Sequence, residues 1–76
     1  MTEQEVIRQL VEVRIKRVLL RTRKQYEREM YNQVGRGVNS QEYTEIVEKL
    51  IKAGIITRSI GARGAATLEL VESQQG

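Results

Sequence analysis

Residues 39–54 read NSQEYTEIVEKLIKAG, and residues 55–72 read IITRSIGARGAATLELVE. In the first stretch the apolar side chains recur at i, i+3, i+4, i+7 and i+8, which predicts a single buried stripe along a helix. The stripe consists of Tyr43, Ile46, Val47, Leu50 and Ile51. We expect Gly54 to end this helix, because glycine adopts the left-handed closing conformation without a clash at Cβ.

The second stretch predicts a β-hairpin. Ile55, Ile56 and Ile60 lead to a Gly-Ala-Arg-Gly turn at residues 61–64. The chain is then expected to return as a second strand through Thr67, Leu68, Leu70 and Val71. A helix, a glycine and a hairpin with a basic tip follow one another in the order of a winged helix. The expected fold class is therefore mainly α with a C-terminal β-hairpin, a winged helix-turn-helix with a long N-terminal helix or helix pair.

The residues from Val38 to Gly64 resemble the second half of the winged helix-turn-helix of bacterial and archaeal DNA-binding regulators. That pattern has Val-Ser at the turn, a leucine near the end of the recognition helix, and then Gly-Leu-Ile. The corresponding residues here, at the same spacing, are Val38-Asn39, Leu50 and Gly54-Ile55-Ile56.

Within that superfamily the hairpin is most similar to the Rrf2 type of regulator, whose wing reads roughly Ser-x-Gly-Ala-x-Gly-Gly-x-x-Leu. The matching residues are Ser59, Gly61, Ala62, Gly64 and Leu68, while Ala65 replaces the second wing glycine. The resemblance covers the C-terminal half of the chain and implies DNA binding. Some members carry an iron–sulfur cluster, for which this chain has no cysteine.

The N-terminal part is expected to be helical, because residues 2–34 contain neither glycine nor proline. Thr2 and Glu5 fit a capping box. A single helix of this length would be about 45 Å long, more than a small domain can cover. We therefore place a break in the polar segment 21–24, with a first helix to about Leu20 and a second from about Lys24 to Gln33.

The connection to the third helix contains Gly35-Arg36-Gly37. Asn39 or Ser40 is expected to cap that helix, with Glu42 completing a second capping box. We expect one domain over residues 1–72 and a disordered tail at 73–76.

Composition limits the chemistry. The 76 residues include no cysteine, histidine or aspartate, so the usual zinc and iron–sulfur ligands are missing and a general base would have to be a glutamate, lysine or tyrosine. We expect no enzymatic activity, no metal and no cofactor. No stretch approaches the roughly 18 apolar residues of a membrane span. We expect a cytoplasmic protein without a membrane partner, associated with the nucleoid if it binds DNA.

The first half is strongly basic, with nine lysines and arginines against three glutamates between Arg8 and Arg36. At 100° per residue, five of the basic residues share one side of a continuous helix: Arg14, Arg17, Arg21, Lys24 and Arg28. Together with Arg36 they suit the oxygens of DNA phosphates. The alternative is a solvated face with intrahelical ion pairs.

The third helix carries the opposite charge, −1 from Asn39 to Gly54. Its first turns offer Ser40, Gln41 and Thr44 for base contacts, but its glutamates would repel phosphates. This charge supports a rival hypothesis, in which the acidic helix docks on a basic protein partner.

On the hairpin, Arg58 and Arg63 are candidate phosphate or minor-groove contacts, or arginines that keep the hairpin soluble. The three tyrosines are expected at the edge of the core.

Apolar residues on a second side of the first helix predict a homodimer through Leu10, Val13 and Leu20.

The sequence thus favours a dimeric, double-stranded DNA-binding protein, a transcriptional regulator or DNA-organising factor. The alternative is a winged-helix module for protein–protein assembly that does not bind DNA.

Overall fold

A computed structural model of the chain describes residues 2–61 and 63–71. The elements follow in the order α1 (Glu3–Thr22), β1 (Lys24–Tyr26), α2 (Glu27–Val34), α3 (Ser40–Lys52), β2 (Ile56–Ile60) and β3 (Ala66–Leu70). The fold class expected from the sequence, mainly α with a C-terminal hairpin, is confirmed. Ala62 and the expected tail at 73–76 lie outside the described residues.

The expected break in the N-terminal helical region falls at Arg23, whose φ of 69° lies in the left-handed region. Its backbone N–H still donates to the carbonyl of Leu19, at 2.7 Å, and the chain then leaves the helix. The prediction that the second helix begins at Lys24 is wrong, because Lys24–Tyr26 is a strand and α2 begins at Glu27.

The three strands form an antiparallel sheet in the order β1-β3-β2. Ile56 pairs with Leu70 across the hairpin, and Gln25 of β1 pairs with Leu68 on the other side of β3. Leu68 is the fully buried leucine of β3, whereas Leu70 is only partly buried. The short strand β1 therefore fixes the start of α2 beside the hairpin.

The core lies between α1, the other two helices and the inner face of the sheet. From α1 it receives Val11, Ile15, Val18 and Leu19, and from α3 it receives Tyr43, Ile46, Val47 and Leu50. The predicted stripe of α3 is thus confirmed, with Ile51 partly buried at its edge. Met30, Ile56 and Leu68 complete the centre.

Both predicted capping boxes are present. The Thr2 hydroxyl accepts from the N–H of Glu5, and the Asn39 side chain accepts from the N–H of Glu42. After α3, Gly54 has φ of 76°, the left-handed conformation expected at the end of the helix. None of the helices in the described part of the chain is long and apolar enough to cross a membrane.

Candidate nucleic-acid interface

A groove of about 660 Å³ runs between the first turns of α2 and α3 and the tip of the hairpin. Four of the predicted DNA-binding residues line it: Arg28, Ser40, Thr44 and Arg63. They come from three different parts of the chain, and folding brings them onto one surface. The groove offers two guanidinium groups and two hydroxyl groups on one surface, together with the carboxylates of Glu27 and Glu29.

Local structure positions the residues of α3 and of the hairpin tip. Ser40 is the first residue of α3, directly after the Asn39 cap, and Thr44 follows one turn later with its hydroxyl donating to the Ser40 carbonyl at 2.9 Å. In the hairpin turn the N–H of Gly61 donates to the carbonyl of Ala65 at 2.9 Å. That turn leaves Arg63 exposed at the tip.

The outer rim of the groove carries an exposed aromatic ring. Tyr26 is 54% exposed and lines both the groove and a neighbouring depression that contains Lys24 and Arg63. The prediction that all three tyrosines lie at the edge of the core is wrong for Tyr26. Tyr26 is exposed because successive side chains of a strand point to opposite faces. In β1, Lys24 and Tyr26 lie on the outer face and the partly buried Gln25 on the inner one.

The other two tyrosines form the inner wall of the groove. Tyr43 is only 4% exposed, and its ring centroid lies 5.0 Å from that of the half-buried Tyr31. The Tyr43 hydroxyl donates to the carbonyl of Glu27 at 3.1 Å. Burial raises the pKa of Tyr43 above its ordinary value, and the nearby charge of Glu27 raises it further. The Tyr43 hydroxyl therefore stays protonated well into the alkaline range.

The acidic charge of α3 is partly neutralised within the chain. Arg8 of α1 donates to Glu45 at 3.1 Å and lies 3.6 Å from Glu42, while Arg58 of β2 donates to Glu48 at 2.9 Å. All three glutamates of α3 thus have an arginine partner from another element. Two arginines face four glutamates in these pairs, since Arg58 also binds Glu27, so the acidic charge of α3 is reduced but not cancelled.

Arg58 has a different environment from the one expected for a wing contact. Its Nε donates to Glu27 Oε1 at 2.9 Å, and its Nη1 donates to Glu48 Oε2 at 2.9 Å. Partial burial lowers the pKa of Arg58, but the hydrogen bonds to Glu48 and Glu27 outweigh this effect and raise the pKa overall. We therefore assign Arg58 to the attachment of the hairpin, since each of its three nitrogens already donates to Glu27 or Glu48.

The predicted basic stripe along a continuous helix is wrong, because α1 ends at Thr22. Lys24 and Arg28 lie near the groove, whereas Arg14, Arg17 and Arg21 stay on α1. Arg14 makes long contacts of 3.5 and 3.4 Å to the carbonyls of Val34 and Arg36. The positive φ of Arg23, where the chain leaves α1, accounts for this separation.

Two further predicted DNA-binding residues are exposed but do not line the groove. Arg36 lies in the loop between α2 and α3, and Gln41 follows Ser40 on the outer face of α3. Both are accessible to a partner that covers the start of α3.

A net positive charge remains after the ion pairs are formed. All 13 lysines and arginines are described, and only Arg8, Lys49 and Arg58 form ion pairs with described glutamates. Five of the nine described glutamates are used in these pairs. The remaining surface is therefore more basic than the formal net charge of +3 suggests.

Sequence reasoning missed Tyr26 as a member of this surface. The only available signal was the alternation of Lys24, Gln25 and Tyr26, which is too short to predict a strand.

Comparison with protein-family models, with curated protein sequences and with solved structures finds no match to this chain.

Proposed function

We propose that this chain binds double-stranded DNA through the groove between α2, α3 and the hairpin, as a winged-helix transcriptional regulator or DNA-organising factor acting as a dimer. The observation that carries the proposal is the convergence of Arg28, Ser40, Thr44 and Arg63 on one surface. Lys24 and Tyr26 extend that surface along the hairpin. Arginine forks suit phosphate oxygens, and exposed hydroxyls near a helix start suit base edges or phosphates.

The roles differ between residues. Lys24, Arg28, Arg36 and Arg63 contact phosphates, because each presents a cation without a glutamate partner among the described residues. Ser40, Gln41 and Thr44 lie in the first two turns of α3, where a helix end can enter the major groove. Tyr26 contacts the sugar–phosphate backbone from the rim.

Ion pairing weakens the main objection to this proposal. Glutamates on the recognition helix would repel phosphates, but Arg8 and Arg58 lie beside all three of them and reduce this repulsion. The same pairs weaken the rival proposal, in which an acidic α3 docks on a basic protein. A basic partner would have to compete with the chain's own arginines.

Binding to a random-sequence duplex, followed by fluorescence anisotropy at several salt concentrations, tests the proposal. We expect binding at micromolar protein in about 50 mM salt, with affinity that falls steeply as salt rises. Arg63→Ala should weaken binding and lower the salt slope by about one, because one phosphate contact is lost.

Lys49→Ala is the matched control. It removes the same charge from an exposed residue, but Lys49 pairs with Glu12 on the α1 side of α3, away from the groove. We expect its salt slope to equal that of the wild type. Absence of duplex binding by the folded wild type under these conditions would refute the proposal and favour the protein-assembly alternative.

A further inference from the structure

Helix α1 has two apolar faces, and only one of them is used by the core. On its outer side four apolar residues remain exposed: Val6 at 43%, Leu10 at 46%, Val13 at 44% and Leu20 at 73%. We call these four residues the outer stripe. In so small a chain, a row of exposed apolar residues along one helix marks a contact surface.

The spacing of the outer stripe is that of a coiled coil. Val6, Leu10 and Val13 are separated by four and three residues, and the next positions in this alternation are Arg17 and Leu20. This is the 3.5-residue repeat that keeps a stripe facing a second helix. Glu3, Leu10 and Arg17 are seven residues apart and occupy equivalent positions of the repeat.

The charge along α1 is strongly asymmetric. Residues 3–12 contain three glutamates and one arginine, whereas residues 13–23 contain five basic residues and no glutamate. A parallel pair of α1 helices would place Arg17 against the same residue of the other copy. An antiparallel pair would instead place the basic end of each helix beside the acidic end of the other.

We propose that the outer stripe binds the outer stripe of a second copy of this chain, with the two α1 helices antiparallel. In the register that keeps the repeat in contact, Leu10 lies opposite the partner's Val13, and Arg17 lies opposite the partner's Val6. Leu20 then lies opposite the partner's Glu3. On the partner helix Glu3 lies three positions before Val6, so Arg17 and the partner's Glu3 are offset by about 4.5 Å along the helix axis. The Arg17 side chain can span this offset.

This pairing develops the dimer of the proposed function, and it gives Arg17 a role other than phosphate binding. Residues of α1 do not line the groove between α2, α3 and the hairpin. Each copy therefore keeps its groove accessible in the dimer. Dimer formation is tested without DNA, so a failure here is distinguishable from a failure of the DNA-binding proposal.

Charge reversal measured by sedimentation equilibrium over the micromolar range tests the pairing. We expect the wild type to dimerise and Arg17→Glu to weaken the dimer by about tenfold or more, because two acidic residues then meet. Adding Glu3→Lys to Arg17→Glu should restore much of the lost affinity. Arg36→Glu, the same charge change in an exposed loop, should leave the dimer unchanged.

The direction of the helices can be measured separately, because the chain contains no cysteine. A spin label on Gln4→Cys should lie roughly 20 Å or more from its copy in an antiparallel dimer, but only about 10 Å in a parallel one. A wild type that stays monomeric, a double variant no tighter than Arg17→Glu, or the short label distance would each overturn the proposal.

Discussion

Arg58 Nε on β2 lies 2.9 Å from Glu27 Oε1 at the start of α2, although 31 residues separate them in the sequence. The same guanidinium reaches Glu48 of α3. One side chain thus joins the hairpin to both helices that form the walls of the groove. The geometry of the candidate site depends on this ion pair as well as on the apolar core.

Replacement of Arg58 by alanine should therefore affect stability more than DNA contact. We expect a loss of about 1–3 kcal/mol in the free energy of unfolding, because Glu27 and Glu48 lose a charged hydrogen-bond partner and repel each other. Chemical denaturation measures this loss. Arg63→Ala, at the exposed tip of the same hairpin, is the control and should unfold like the wild type. Equal stability of the two variants would contradict the structural role of Arg58.

Leu50 is fully buried on α3, in the same core as Ile56 of β2. Leu50→Ala should lower the free energy of unfolding by about 2–5 kcal/mol, because it removes buried methyl groups and leaves a cavity. So large a loss would unfold much of a domain of this size. Ile60→Ala, at an exposed position of β2, should cost far less. A thermal melt of Leu50→Ala within a degree or two of the wild type would disprove the core assignment.

The raised pKa of Tyr43 predicts that the free energy of unfolding decreases at alkaline pH. Its pKa is raised in the folded protein, so its contribution to stability is fully present below the unfolded value of about 10 and is lost as pH rises above it. Tyr43→Phe should be less stable near neutral pH by about 1 kcal/mol, since the hydrogen bond to the Glu27 carbonyl is lost. Its stability should then fall less steeply than that of the wild type above about pH 10.

The exposed Tyr26 supplies the control for this experiment. Tyr26→Phe should have the stability of the wild type at neutral and alkaline pH, because the Tyr26 side chain is 54% exposed and lies outside the core. Denaturant titrations at neutral and alkaline pH measure both variants. If the stabilities of the wild type and of Tyr43→Phe fell equally steeply with pH above about pH 10, Tyr43 would not contribute to the pH dependence of stability.

Local patterns in the sequence predicted α3, its cap at Asn39 or Ser40, its end at Gly54 and the hairpin, because each depends on neighbouring residues. Strand β1 was missed, since three residues show no periodicity and the strand exists only through pairing with β3, some forty residues later. The pairing of Arg58 with Glu27 was missed for the same reason. The sequence indicates Ser40, Thr44 and Arg63 as separate candidates for DNA contact, but that they line one groove follows only from the fold.

The structure separates the predicted phosphate contacts into two groups that can be compared directly. Arg28 and Arg63 line the groove, whereas Arg17 and Arg21 lie on the outer side of α1. Arg28→Ala combined with Arg63→Ala should weaken binding to all duplexes about equally and lower the salt slope by up to about two per subunit. Arg17→Ala combined with Arg21→Ala removes the same charge and should change that slope much less.

Gln41→Ala completes this comparison, because Gln41 lies beside Ser40 on the exposed face of α3 and carries no charge. If it contacts a base, its loss should alter sequence preference and leave the salt slope unchanged. Selection from a random duplex library measures preference, and anisotropy titrations measure the slope. A larger slope change for the α1 pair than for the groove pair would move the phosphate contacts to α1. It would also contradict the assignment of Arg17 to the dimer.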